Sequence, residues 1–151
     1  MKRLAVLLAA VAVAAVVAAP AGARIVPGQS IAGVKLSMTK NQVRGVLGTP
    51  TAITHGSNEF GTFTVFKYFR LQVTFQGDAT VTAIKTSRRV ERTRHDIGVG
   101  STRAEVLAKV PGVRCFRTVC QKGASTPGQR ITAFFLFRRH VTSVLVGFVI
   151  D

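Results

Sequence analysis

The chain has 151 residues and carries 21 Lys and Arg against six Asp and Glu, a formal charge of +15. That length suits one domain rather than several, and so basic a chain attracts polyanions such as nucleic acid, anionic head groups or acidic wall polymers. Two cysteines and six carboxylates leave too little material for a cysteine-rich scaffold and little for carboxylate-pair hydrolysis.

At the start of the chain, Lys2 and Arg3, the apolar run Leu4–Ala19 and the small residues Pro20-Ala21-Gly22-Ala23 read as a secretory signal peptide over residues 1–23, cut after Ala23. Left uncut, the uncharged stretch Leu4–Ala23 is long enough to tether the chain to a membrane. Cleavage releases residues 24–151 as a single secreted or cell-envelope domain, and loss of Lys2 and Arg3 lowers the charge from +15 to +13.

The next signal is a helix start. Thr39-Lys40-Asn41-Gln42-Val43 has a cap residue followed three positions later by Gln, then the apolar stripe Val43, Val46, Leu47 and a stop at Gly48-Thr49-Pro50. Strands are predicted over Thr62–Phe69, Leu71–Phe75 and Thr80–Thr86, where β-branched and aromatic residues concentrate. Leu71, Val73 and Phe75 alternate with Gln72 and Thr74. The join Thr86–Asp96 holds Arg88, Arg89, Arg92 and Arg94, a candidate anion-binding edge because guanidinium groups grip phosphate and carboxylate through paired N–H donors.

Thr102-Arg103-Ala104-Glu105-Val106 then restates the helix start, with Val106, Leu107 and Val110 as its stripe and Pro111-Gly112 as its stop. Cys115 and Cys120 bracket a hairpin and, in an exported chain, read as a disulfide. Strands follow over Arg130–Phe137 and Val141–Ile150, and Val141-Thr142-Ser143-Val144 echoes Val81-Thr82-Ala83-Ile84. The expected fold class is therefore α+β: two tandem helix-plus-antiparallel-strand repeats, 31–87 and 96–151, forming one sheet with short helices packed on one face.

The run Pro27–Val43, followed by Leu47-Gly48-Thr49-Pro50, resembles the opening of BamE/SmpA/OmlA-like domains, which share the tandem-repeat fold of β-lactamase inhibitor protein. Ser37 stands where those domains carry Gly before Met, while Gly100 keeps that Gly in the second half, and no lipid-attachment cysteine is present. The resemblance implies a non-catalytic, exported binding domain.

Chemistry is otherwise sparse. His55, His95 and His140 are far apart in sequence, no G-x-S-x-G or P-loop occurs, and the cysteine pair lacks the further ligands zinc needs. No catalytic, cofactor-binding or metal-binding residue is assigned, and no enzyme activity is expected. An aromatic platform for nucleic acid is disfavoured, because Phe134 faces opposite to Phe135 and Phe137 in a strand and one of those faces forms the core. The expected function is an exported binding protein that recognises a protein or an anionic surface polymer. An envelope assembly or stability scaffold and an inhibitor of an exported hydrolase are the alternatives.

Overall fold

The computed structural model describes residues 24–150; the signal-peptide reading of residues 1–23 lies outside them. Both helix starts are capping boxes. In α1 (Lys40–Leu47), the Gln42 amide donates to Thr39 Oγ1 (3.3 Å) and the Thr39 amide to Gln42 Oε1 (2.9 Å). In α2 (Arg103–Lys109), the Glu105 amide donates to Thr102 Oγ1 (3.2 Å) and the Thr102 amide to Glu105 Oε2 (2.7 Å). Each box satisfies two backbone donors that a helix start otherwise leaves open, contributing roughly 1 kcal/mol.

The helices are nonetheless minor elements. Three short strands, β1 (Ile25–Val26), β2 (Ser30–Ile31) and β3 (Val34–Lys35), form a small sheet in that order. Eight more form the principal sheet: β4 (Ala52–Asn58), β5 (Gly61–Tyr68), β6 (Leu71–Gln76), β7 (Ala83–Thr86), β8 (Val113–Cys115), β9 (Val119–Lys122), β10 (Arg130–Phe137) and β11 (His140–Phe148). Their order is β4-β5-β6-β7-β11-β10-β9-β8, antiparallel throughout.

The molecule is therefore mostly β, which corrects the expected α+β fold of two helix-plus-strand repeats. The physical reason is twofold. Helices of 8 and 7 residues bury only Val43 and Val106 within their spans, too little to make a layer, and two turns are not stable alone. Meanwhile residues 25–35 and 52–58, which carry no strong alternation, are held in sheets by pairing with better strands.

The core lies on one face of the principal sheet. Phe66, Leu71, Val73, Phe75, Ile84, Phe134, Val144 and Val146 point into it, and Ile25, Ile31, Val34, Val43 and Val106 close it from above. Phe66 and Phe75 meet edge to face with centroids 4.8 Å apart, which contributes about 1 kcal/mol beyond burial. The opposite face keeps Lys67, Gln72 and Lys85 exposed and Phe135 and Leu145 half-buried. Antiparallel hairpins alternate their turns between the two ends of such a sheet, so residues distant in sequence collect at each end.

Candidate functional site

One end of the sheet gathers four segments. The β5–β6 turn is Phe69-Arg70 and the β10–β11 turn is Arg138-Arg139. The β8–β9 turn contains Phe116 and Arg117, and the chain leaving β7 carries Arg88, Arg89 and Val90. Hydrogen bonds fix their common level: the Ser87 amide donates to the Arg70 carbonyl (2.9 Å), and the Leu136 amide to the Thr118 carbonyl (2.7 Å). At about 4.8 Å between strands, the row of turns is roughly 25 Å long.

This rim has an unusual composition. Phe69, Val90, Phe137 and Phe116 are 76%, 69%, 65% and 59% exposed, the four most exposed large apolar side chains among the described residues. Arg70, Arg89, Arg117, Arg138 and Arg139 are exposed between them. The Arg138 guanidinium lies 5.3 Å from the centre of the Phe137 ring, a cation–π contact that holds both outward. A cleft of about 430 Å³ joins Arg70, Arg89, Phe137, Arg138 and His140. A neighbouring one brings Arg138, Arg139 and His140 against Arg103, whose Nε is buried without a partner.

The carboxylates of the region are occupied. Glu91 is fully buried, where it accepts from Thr86 Oγ1 (3.1 Å) and from Arg88 Nη1 (3.5 Å). Glu105 is bonded to the Thr102 cap, and the backbone donor there holds its carboxyl below the usual range.

The structure places the four arginines of the join in different surroundings. Arg88 points inward, donating to the Phe69 carbonyl (2.6 Å) as well as to Glu91. Arg92 braces the join through the Arg89 carbonyl (3.1 Å), Ser101 Oγ (3.2 Å) and an ion pair with Asp96 (3.8 Å). Arg89 faces the rim, and Arg94 lies in a different cleft with Arg24, Lys109 and Lys122. Sequence proximity grouped them, whereas Glu91 and Asp96 separate them.

Cys115 and Cys120 form the expected disulfide, and no free cysteine remains. It closes the hairpin that presents Phe116 and Arg117. Ring closure this short contributes about 2 kcal/mol through the unfolded chain.

A polar cluster unforeseen from sequence lies at the other end of the sheet. Thr64 Oγ1 donates to Asp78 Oδ1 and contacts His55 Nδ1 (3.0 Å) and Lys40 Nζ (3.3 Å). Its hydroxyl proton goes to Asp78, whose carboxyl is held below its usual range first by that bond, and Thr64 is only 1% exposed. A hydroxyl so enclosed cannot reach a substrate, so the cluster is a structural tie between β5 and the β6–β7 turn. Among the described residues no group of three or more His, Cys, Asp or Glu stands close enough to hold a metal ion, and no helix is long and apolar enough to cross a membrane.

No family model, curated protein or solved structure matches this chain. The residues that carry the BamE/SmpA/OmlA resemblance are accounted for locally, since Thr39 and Gln42 cap α1 and Gly48 ends it with a φ of 78°.

Proposed function

We propose that this chain is an exported, non-catalytic binding protein that grips an anionic surface polymer through the arginine-rich rim. The single observation that carries the reading is the coincidence of five exposed arginines and the four most exposed apolar side chains on one end of one sheet. Of the two acids of the joining segment, Glu91 is buried and Asp96 is ion-paired with Arg92. Guanidinium groups bind phosphate and carboxylate in a fork, and an unopposed cationic rim raises the local concentration of polyanion. The disulfide and the reading of residues 1–23 are what support export.

The test is binding of the full-length protein to long-chain polyphosphate, titrated at low and moderate salt. The R89Q/R138N/R139G variant is expected to bind at least tenfold more weakly and with a shallower salt dependence. Equal binding by the variant removes the rim from the account.

A second reading, an acidic protein partner, is favoured by Phe69, Phe116 and Phe137, since aromatic and Arg side chains together are what protein interfaces concentrate. It predicts that F69S/F137S abolishes capture of the partner while leaving polyphosphate binding intact.

A further inference from the structure

A third cleft, of about 270 Å³, shares no residue with the rim and draws on four separate segments. The amino-terminal segment brings Arg24, the end of the join brings Arg94 and His95, the end of α2 brings Lys109, and β9 brings Lys122. No carboxylate lines it. The floor is apolar, made by Ile25, Val26 and Pro27 on one side and by Val110 and Pro111 on the other. We infer that this cleft is a separate binding site for a small organic anion, with a phosphate or carboxylate head met by Arg94 and the lysines and an apolar body resting on the prolines and Val110.

Three observations carry the inference beyond the general basicity of the chain. First, Arg24, Lys109 and Lys122 have no ion pair and donate no side-chain hydrogen bond among the described residues, although Arg88 and Arg92 are both matched to acids. Asp96, next to His95 in sequence, is turned to Arg92 instead (3.8 Å). Glu105, one turn before Lys109, is held by the Thr102 cap. Like charges brought together in a concave, partly apolar site repel one another, and an anion is the species that relieves them.

Second, Arg94 Nε donates to His95 Nε2 at 2.9 Å. That bond engages only the Nε–H donor of Arg94. It orients the pair so that the terminal nitrogens of Arg94 remain available as donors.

Third, the shape suits a head and a body. Small-ligand sites are mostly apolar with a few convergent polar groups, and this cleft has that division, whereas the rim alternates charge and aromatic along a line. Inorganic phosphate therefore supplies only half of what the cleft recognises.

Isothermal titration of the full-length protein at moderate salt, with phenyl phosphate, benzoate and inorganic phosphate as probes, tests the site. Phenyl phosphate or benzoate is expected to bind saturably with one site per chain, at least fivefold more tightly than inorganic phosphate; which of the two is tighter identifies the head. R94Q and K122Q are each expected to weaken that binding at least fivefold with unchanged thermal stability. R138N/R139G is expected to leave it unchanged. Absence of saturable binding, or equal binding by R94Q and K122Q, overturns the inference. Binding lost in R138N/R139G instead assigns the anion to the rim, which overturns this site while leaving the rim reading in place.

Discussion

The two ends of the principal sheet solve the same backbone problem with different residues. Tight turns need left-handed φ values, which glycine adopts without penalty. At the end away from the rim, Gly61 (φ 104°), Gly77 (75°), Gly123 (101°) and Gly128 (76°) occupy such positions, with Asp78 (60°) the exception. At the rim the same region is occupied by Arg70 (53°), Arg138 (47°) and Arg139 (65°). The β10–β11 turn places two arginines where a two-residue turn of this kind favours Asn-Gly. Each left-handed arginine costs roughly 1 kcal/mol relative to glycine. The charged residues differ as well: Asp78 at the far end is tied to Thr64 and Lys40, whereas the rim arginines are exposed. Of the seven non-glycine residues with left-handed φ among the described residues, three are thus rim arginines, held there against local conformational preference.

The largest expected effect acts behind the rim. Glu91→Ala leaves Thr86 and Arg88 without their buried partner, and is expected to destabilise the protein by about 3 kcal/mol in chemical denaturation. A loss below about 1 kcal/mol would show that the join does not depend on this carboxylate.

A smaller and opposite effect is expected in the turn itself. R138N/R139G relaxes the turn and is expected to raise stability by about 1–2 kcal/mol, seen as a melting temperature several degrees higher. The mirror substitution at the far end, Gly77→Ala, meets no atom within 4 Å yet is expected to lose about 1 kcal/mol from its φ of 75° alone. If the arginine replacement destabilises, the turn is not strained and the contrast fails.

The smallest effect is on acid stability. Asp78 and Glu105 both have carboxyls held below their ordinary values, by Thr64 and by the Thr102 backbone respectively. A depressed folded-state pKa contributes stability that is fully present above the unfolded value and is lost as pH falls through the folded one. Stability should therefore decline below about pH 4.5, the ordinary value for Glu105. The decline should be gentler in D78N, which no longer titrates at the far end, and both exposed sites make the effect modest. Identical acid profiles for D78N and the parent would remove Asp78 from this account.

What sequence could reveal divides along the same physical lines. The capping boxes at Thr39 and Thr102 were legible because their partners lie three residues away. Leu71–Phe75 was legible as the strand that runs to Gln76, because one face is buried and the other wet. Ala52–Asn58 was not, since six of its seven residues are exposed on an edge strand that pairs only with β5, which leaves no hydrophobic period to read. The arginine join was legible as charge but not as geometry, because Glu91 and Asp96 decide which arginines turn inward. The rim was invisible for a topological reason: Phe69, Phe116 and Phe137 are brought together by the strand order, and the hairpin tip that holds Phe116 was legible only on its own.

The most direct test is polyphosphate affinity measured on R138N/R139G beside the parent protein, using preparations whose stabilities have been compared. A variant that is more stable and binds at least fivefold more weakly, with a flatter salt dependence, is the result expected of arginines held in strained turns for their side chains. A variant that is more stable and binds equally well would contradict it, and would leave the two ends of the sheet different in sequence alone.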